Sequence, residues 1–277
     1  MNATSPVSVI IPIRNPHPDH FLQTLRSLTV QTHGEFEVVI VETPGRHAAA
    51  PFLDAIQDRR FRLIRWDGPP SIAAARRCGL AASAHPLVAL LDGDDIAHPE
   101  RLAKQVDHFA EKPELSVLGS AIEFIDEHGR VLGWRPFPLS HNDIRATLPL
   151  YNCIAQPSVM FRKQHVLEAG NYGDSICEDY ELWSRMVRSG FHFANLPDRL
   201  VQYRLHSGST KTNKMRSSLR DTIRIKRLHW GGELDFTARK RILLERMLLL
   251  LPAPLVMKLF RHWVIRAIPP EGTRCGS

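Results

Sequence analysis

The sequence predicts an α/β fold with a mixed, mostly parallel central sheet flanked by helices, followed by a helical C-terminal extension. Over the first 110 residues, short runs of β-branched and apolar residues recur, which is typical of buried strands. Segments with apolar residues at helical spacing separate these runs. Strands that alternate with helices favour parallel pairing through right-handed crossovers, with ligands beyond the carboxyl ends of the strands.

The predicted elements follow in chain order. In the first part, strands are expected at 7–11, 36–41, 61–66 and 87–91, and helices at 19–30, 71–84 and 99–110. Ser71 is a suitable N-cap for the second of these helices. In the second part, strands are expected at 116–124, 130–134, 156–161 and 200–205, with a helix at 178–189 and a turn at His128-Gly129.

Composition sets limits on the class of protein. The 277 residues are 43% hydrophobic and 23% charged, which is ordinary for a globular chain with a large core. We see no signal peptide and no run of about 18 apolar residues that would span a membrane. The four cysteines form no C-x-x-C pair, so we expect reduced thiols in the cytoplasm and neither zinc nor disulfides: Cys78, Cys153, Cys177 and Cys275.

Three carboxylates follow the fourth predicted strand within four residues: Asp92, Asp94 and Asp95, with Gly93 between the first two. Like charges at this density repel one another unless a cation neutralises them. Oxygen ligands suit Mg²⁺ or Mn²⁺, which also bind phosphate oxygens. The alternative is an acidic turn in which Asp95 lies at the N-terminus of the next helix. The position after a wholly apolar strand favours a metal and phosphate site.

Five sequence blocks, in this order and spacing, resemble the inverting family 2 glycosyltransferases of the GT-A fold. The resemblance spans about residues 5 to 211, three quarters of the chain. The blocks are 7–15 (VSVIIPIRN), the D-x-D at 92–94, 156–162 (QPSVMFR), 177–183 (CEDYELW) and 203–209 (YRLHSGS). The resemblance implies a GT-A catalytic domain at 1–210. Within it, 1–110 would be the nucleotide-binding half and 111–210 the acceptor half.

The same resemblance implies a metal-dependent transfer of a sugar from a nucleoside-diphosphate donor, UDP-linked, to an acceptor hydroxyl with inversion. Asp179 matches the catalytic base, and Glu178 stands beside it in the same motif. A base carboxylate suits inversion, because it takes the acceptor's proton without a covalent intermediate. An alternative for this pair is a helix N-terminus stabilised by the helix dipole.

The remaining site assignments also come from the resemblance. Asp94 would bind Mn²⁺ or Mg²⁺, and Asp92 would contact the metal or the ribose. The residues expected beside the nucleotide-sugar, besides Asp92, are Pro12, Asn15, Glu42, Arg76, Gly93 and Arg204.

Three of these positions keep a structural alternative. Glu42 would hold the base or ribose, or be a surface carboxylate at a strand end. Arg76 would pair with a site carboxylate or with the diphosphate, or be an exposed helix residue. His206 would ligate the metal or meet the diphosphate, or lie in a surface loop.

Departures from the family pattern concern the donor base and sugar. Arg14 replaces the usual Tyr, Arg77 replaces the usual Asn, and the segment after the second strand is Glu42-Thr43-Pro44-Gly45 instead of Asp-Asp-Gly-Ser. The metal and base carboxylates are intact.

The segment 211–277 is strongly basic, with 15 Lys or Arg against 5 Asp or Glu. Cationic and apolar residues interleave over 239–266, which favours helices lying on an anionic membrane surface at the inner face of the cell membrane. A lipid-linked acceptor in cell-envelope polysaccharide synthesis would fit this location. The alternative is helices that pack on the catalytic domain or on a second subunit, as in a homodimer. No nucleic-acid motif accompanies the charge, so we expect no nucleic-acid partner.

Two rival functions stay open. A sugar-1-phosphate nucleotidyltransferase is also α/β with metal carboxylates, but it would need a Gly-rich phosphate loop after the first strand, and 14–20 lacks glycine. A non-catalytic nucleotide-sugar-binding protein would be expected to lose the carboxylates, whereas Asp92, Asp94 and Asp179 are all present.

Overall fold

The computed structural model describes residues 5–205 and 215–251. One sheet of nine strands forms the centre of the described part. The strands are β1 (Val7–Ile13), β2 (Phe36–Glu42), β3 (Phe61–Arg65), β4 (Leu87–Leu90), β5 (Ile96–Ala97), β6 (Leu115–Ile125), β7 (Val131–Arg135), β8 (Met160–Arg162) and β9 (His192–Arg204).

The helices lie between and after these strands. They are α1 (Pro18–Thr29), α2 (Ala50–Ile56), α3 (Ile72–Ala82), α4 (Arg101–Glu111), α5 (His141–Thr147), α6 (Lys163–Glu168), α7 (Glu178–Arg188), α8 (Met215–Trp230) and α9 (Phe236–Leu248). The Ser71 Oγ accepts a hydrogen bond of 3.3 Å from the Ala74 N–H, which confirms the predicted N-cap of α3.

The sheet order is β3-β2-β1-β4-β8-β6-β9-β5, and β7 pairs with β6. The four strands β1 to β4 are parallel, and so is the long ladder between β6 and β9. β8 runs antiparallel to both β4 and β6 and therefore joins the two halves of the sheet. The predicted α/β class with a mixed, mostly parallel sheet is confirmed.

The inner strands are apolar on both faces because helices cover both sides of the sheet. Every residue of β4 is buried, as are the first six residues of β1. Trp183 of α7 lies in the core, with its ring centroid 5.8 Å from that of Phe193 and 6.3 Å from that of Phe161.

Several elements differ from the sequence prediction. The segment expected to be a strand at 156–161 is a 3₁₀ turn at Gln156–Ser158 followed by the short β8. β9 begins eight residues earlier than predicted, because 192–196, in which polar and apolar residues mix, pairs with the buried strand β6. The sequence analysis did not predict α2, α5, α6 and β5, which are all short.

Among the described residues, those beyond 214 are mainly helical and pack on the preceding part of the chain. Trp230 is buried, with the guanidinium groups of Arg188 and Arg145 at 5.7 and 5.9 Å from its ring centroid. Lys226 is fully buried and donates hydrogen bonds of 2.6 Å to the Leu150 carbonyl and to Glu245 Oε1. The packing alternative for the extension therefore holds for α8 and for part of α9. No helix in the stretches 5–205 and 215–251 is long and apolar enough to cross a membrane.

Candidate active site

The carboxyl ends of three neighbouring parallel strands bring the predicted site residues to one edge of the sheet. Ile13 of β1 is in register with Glu42 of β2, and Ile10 of β1 is in register with Leu90 of β4. The loops that follow each strand carry Asn15 and Asp92, so they start side by side. This is the edge at which ligands bind in open α/β sheets.

The loop after β2 folds onto the loop after β1. Asn15 has a positive φ of 53°, and its Oδ1 accepts hydrogen bonds from the backbone N–H groups of Arg46 and His47. A Cβ at Gly45 would lie 2.5 Å from Asn15 Oδ1, so only glycine fits that close approach. Pro12 is buried within β1. The Asn15 side chain thus shapes this loop from within.

Glu42 makes protein contacts at the start of α2. Its Oε1 accepts a 2.5 Å hydrogen bond from the Ala49 N–H, and its Oε2 lies 3.4 Å from Arg65 Nε. The side chain is only 12% exposed. It is therefore a constrained carboxylate and not the freely exposed surface residue of the structural alternative.

The acidic segment after β4 is a tight turn and does not cap a helix. The Asp95 N–H donates to the Asp92 carbonyl at 3.2 Å, and residues 96–97 form β5. Asp95 is buried, and its Oδ1 accepts a 2.8 Å hydrogen bond from the Arg204 N–H. A Cβ at Gly93 would overlap Ile13 Cδ1, so a larger residue there would require the Ile13 side chain to move.

Two buried arginines, Arg204 and Arg101, donate hydrogen bonds to backbone carbonyls in and next to this turn. The Arg204 guanidinium donates to the Asp94 carbonyl at 2.9 Å, to Gln23 Oε1 at 2.8 Å and to the carbonyl of Asp126 at 3.1 Å. Arg101 donates to the Leu90 carbonyl at 2.7 Å, and burial lowers the pKa of its guanidinium to about 9 although Asp95 opposes the shift. Arg204, expected at the nucleotide-sugar, is thus 2% exposed and bound to protein oxygens.

Arg76 connects the acidic turn to the N-terminus of α7. It lies on α3 and is 3% exposed, so it is not the exposed helix residue of the alternative. Its Nη1 contacts Glu178 Oε1, and its Nη2 lies 3.3 Å from Asp92 Oδ1. Burial lowers the pKa of Arg76, but Glu178 and Asp92 more than compensate, so the pKa is raised and the guanidinium stays charged.

The two acidic residues at the start of α7 have different environments. Glu178 is 5% exposed and faces Arg76. Burial raises the pKa of Glu178 to about 7, with Arg76 opposing the shift and Asp179 adding to it. Asp179 is only partly buried, and its Oδ2 accepts a 3.0 Å hydrogen bond from Asn152 Nδ2. Of the pair, Asp179 is therefore the carboxylate available to a substrate.

The carboxylates suit a divalent cation only together with oxygen ligands from a substrate. Within 5–205 and 215–251, no group of three or more His, Cys, Asp or Glu residues could hold a metal ion. Asp92 and Asp94 are both partly exposed at the turn. Mg²⁺ is commonly bound through one or two carboxylates plus substrate phosphates, and these two side chains fit that pattern. The predicted ligand His206 lies outside the described residues.

The structure thus brings together the strand ends, the acidic turn, Arg76 and the Glu178-Asp179 pair. Arg76 and Glu178, which are in contact, lie 102 residues apart in the sequence. The sequence analysis did not find Asn152, which contacts Asp179, or Arg101, which supports the turn. Neither residue carries a spacing or charge pattern that would single it out in the sequence.

Comparison with known proteins gives a consistent assignment. The sequence profile described as "Glycosyl transferase family 2" matches residues 8–167. The amylovoran biosynthesis glycosyltransferase AmsE of Erwinia amylovora is 36% identical over 217 residues, which is 76% of this chain and 79% of that protein. The Escherichia coli protein WfaP, named a UDP-Glc:alpha-D-GlcNAc-diphosphoundecaprenol beta-1,3-glucosyltransferase, is 26% identical, with 78% of this chain and 84% of that protein covered.

A solved structure shares the fold. TarS residues 1–349 from S. aureus, crystallised in complex with UDP, superposes with a TM-score of 0.61 at 17% identity, covering 86% of this chain and 69% of that chain. At this identity, the likeness concerns the fold alone. The profile match covers more than half of the chain, and the AmsE match covers three quarters of it. The chain therefore belongs to glycosyl transferase family 2 and is a glycosyltransferase.

Proposed function

We propose that this chain is an inverting transferase that moves a sugar from a UDP-sugar to a hydroxyl of a lipid-linked saccharide during cell-envelope polysaccharide synthesis. The contact of Arg76 with both Asp92 and Glu178 carries the proposal. The contact supports the proposal, because the acidic turn at which we expect the diphosphate lies next to Glu178 and Asp179, the pair that contains the proposed base. Donor cleavage and acceptor activation would then occur in one cleft.

Asp179 is the general base of the proposed reaction. It takes the proton of the acceptor hydroxyl as that oxygen forms a bond to C1 of the sugar, while the bond from C1 to the UDP oxygen breaks on the opposite face. The products are UDP and a glycoside whose anomeric configuration is opposite to that of the donor. The electron pair of the broken bond to C1 leaves with the diphosphate. Such base catalysis typically contributes about 10²- to 10⁴-fold to the rate.

Asp92 and Asp94 would hold Mn²⁺ or Mg²⁺, with His206 as a further candidate. When bound, the cation neutralises charge on the departing diphosphate. The guanidinium of Arg76 lies beside the same turn, with its Nη2 3.3 Å from Asp92 Oδ1, and adds positive charge where the diphosphate is expected. Asn15 and Glu42 shape the neighbouring loops, where the donor's base and ribose are expected.

The names of the relatives support the choice of substrates. WfaP is named for UDP-Glc and for a lipid-diphosphate acceptor, and AmsE is named for biosynthesis of a polysaccharide, amylovoran. TarS was crystallised with UDP. We therefore infer a UDP-linked donor and an acceptor on a diphospho-lipid.

Asp94→Asn should abolish metal-dependent donor binding and leave the fold intact. The test is a thermal-shift screen of UDP, UDP-glucose, UDP-GlcNAc, GDP-mannose and dTDP-glucose, each with and without MnCl₂. A ligand at 100 times its Kd stabilises the protein by about 2.7 kcal/mol, so the correct base should stand out. The wild type should respond to UDP compounds only with Mn²⁺, and Asp94→Asn should not respond.

Asp107→Asn is the control, because Asp107 is an exposed residue of α4 and is not part of the acidic turn. Equal UDP binding by Asp94→Asn and the wild type would contradict the metal assignment. Release of pyrophosphate from UTP and glucose 1-phosphate would favour the nucleotidyltransferase instead. Donor binding with no turnover on any lipid-linked acceptor would favour a non-catalytic protein.

We also propose that the C-terminal extension contacts an anionic membrane surface. Five of the large hydrophobic side chains that are at least half exposed lie on α8, on α9 or just after it: Leu228, Phe236, Leu243, Met247 and Leu250. Cationic side chains lie among them, and Lys240 Nζ is 4.4 Å from the Phe236 ring centroid. Apolar and cationic groups together suit an interfacial helix. The part of 239–266 beyond 251 lies outside the described residues.

The double variant Leu243→Glu/Met247→Glu should weaken binding of the full chain to vesicles with 30% anionic phospholipid. Removing two apolar contacts and adding two negative charges should lower the partition constant about tenfold or more. Vesicle co-sedimentation measures it, with Leu132→Glu on β7 as the matched control, since Leu132 is also exposed. Unchanged binding in the double variant, or equal binding to neutral vesicles, would contradict the proposal.

A further inference from the structure

Asn152 makes a directed contact with the proposed base. Its Nδ2 donates a 3.0 Å hydrogen bond to Asp179 Oδ2, and its Oδ1 accepts a 3.2 Å hydrogen bond from the Ile154 N–H. The second bond fixes the orientation of the amide, because only the oxygen can accept from a backbone N–H. The nitrogen must then face the carboxylate.

Two hydrogen bonds from other elements hold the residues that precede Asn152 in its loop. The Tyr180 hydroxyl donates to the Leu148 carbonyl at 2.5 Å, and the buried Lys226 ammonium donates to the Leu150 carbonyl at 2.6 Å. Lys226 is in turn paired with Glu245 of α9. Charged hydrogen bonds in a buried setting are strong and geometrically specific. The position of Asn152 is therefore set by α7, α8 and α9 together.

The segment that precedes Asp179 is held by the same helix α8. Asp221 Oδ2 accepts hydrogen bonds from the Ser175 hydroxyl at 2.5 Å and from the Cys177 N–H at 2.9 Å. Cys177 is the residue immediately before α7. Both partners of the contact between Asn152 and Asp179 thus stand on segments that the C-terminal extension fixes.

This arrangement suits a general base. A neutral amide donor orients the carboxylate without forming the ion pair that an arginine would form with it. Because Asn152 bonds Oδ2, the rotation of the carboxylate is restricted, and Oδ1 would be the oxygen that takes the acceptor's proton. Misplacement of a catalytic group by about 1 Å can cost roughly 100-fold in rate.

We propose that Asn152 is a positioning residue for Asp179, and that the helical extension supports it through Lys226 and Asp221. The inference rests on the proposed function, in which Asp179 is the base. Asn152 does not touch the reacting atoms in this role. It sets the direction from which Asp179 meets the acceptor hydroxyl.

The test compares Asn152→Ala and Asn152→Asp with the control Asn142→Ala, which changes an exposed residue of α5. Release of UDP from UDP-glucose with MnCl₂ and a GlcNAc-diphospho-lipid is measured alongside UDP affinity and thermal stability. We expect kcat to fall about tenfold or more in both variants, with UDP affinity and melting temperature near those of the wild type. Asn152→Asp should be the slower of the two, because it replaces the donor by a repelling carboxylate.

A purely structural role predicts the opposite order, since Asp has the shape of Asn and Ala does not. Wild-type kcat in both variants, or a loss of kcat matched by equal losses of UDP affinity and stability, would overturn the inference. A second measurement needs no turnover: the side-chain amide ¹⁵N–¹H resonances of Asn152 should shift in Asp179→Asn. Unchanged resonances would also overturn it. Full activity of Asp179→Asn would instead contradict the proposed base, and so the two failures are distinguishable.

Discussion

Asp179→Asn should transfer sugar about 10²- to 10⁴-fold more slowly than the wild type, a loss of roughly 3 to 5 kcal/mol of transition-state stabilisation. Asparagine has the size of aspartate and can occupy the same place beside Asn152, but it cannot accept the proton of the acceptor hydroxyl. The acidic turn with Asp92 and Asp94 is unchanged in this variant. We therefore expect UDP affinity and melting temperature to stay near the wild-type values while kcat falls.

The matched control is Asp174→Asn, the same change five residues earlier in the chain. Asp174 is 84% exposed and pairs with Arg77 at 2.9 Å, an exposed ion pair of the kind that contributes little. This variant should retain wild-type kcat. The base assignment fails if Asp179→Asn keeps more than about a tenth of the wild-type rate, because a general base typically contributes about 100-fold or more to the rate. It also fails if Asp174→Asn is as slow as Asp179→Asn.

The inner strands could be predicted closely because burial on both faces leaves a continuous apolar signal. β1, β2 and β4 have this property, and each was placed within two residues. α2 has no such signal, since none of its residues is fully buried. Its start is fixed by the hydrogen bond from Ala49 to Glu42, a contact that a periodicity argument does not reveal.

The site could be predicted in part, because parallel strands bring their carboxyl ends to one edge. That rule, together with the family resemblance, predicts that Asp92, Asp94 and Asn15 lie at the same edge of the sheet, where β1 and β4 end side by side. The partner of Arg76 could not be decided, since a diphosphate and a carboxylate attract a guanidinium equally well. The contact from Asn152 to Asp179 spans 27 residues and depends on how α8 fixes two separate segments.

The basic extension shows why net charge alone is a poor guide to packing. Its charge favoured a membrane surface, yet Lys226 is fully buried and paired with Glu245. A single charged side chain looks the same in the sequence whether it faces solvent or an ion-pair partner. The described part of the extension has buried contacts on one face and exposed apolar groups on the other.

Arg76→Gln should have the largest effect on stability. Removing one partner of a buried ion pair typically costs about 3–5 kcal/mol, because the remaining charge is buried without compensation. Here the remaining charge is Glu178, which is 5% exposed. For a chain of this size we expect the melting temperature to fall by about 6–20 °C. The melting temperature of Arg76→Lys should lie between those of Arg76→Gln and the wild type, since one ammonium cannot contact both carboxylates as the two Nη atoms of a guanidinium do.

The pH dependence of this loss has a definite sign. Burial already raises the pKa of Glu178 to about 7, with Arg76 opposing, so loss of Arg76 raises it further. A carboxyl whose folded-state pKa is raised adds stability below its unfolded pKa and loses that stability as the pH rises through the folded value. The difference in unfolding free energy between wild type and Arg76→Gln should therefore be larger at pH 8 than at pH 5, as measured by chemical denaturation.

The double variant Arg76→Gln/Glu178→Gln separates the structural effect from the catalytic one. Glutamine at 178 carries no charge, so most of the lost stability should return and its pH dependence should disappear. Activity should not return, because the double variant still lacks the Arg76 guanidinium, the positive charge beside Asp92 and the expected diphosphate. If the double variant were as unstable as Arg76→Gln, the loss would come from packing and not from an uncompensated charge. If it regained full activity, Arg76 would act only on Glu178, and the link between the acidic turn and the base would have no part in catalysis.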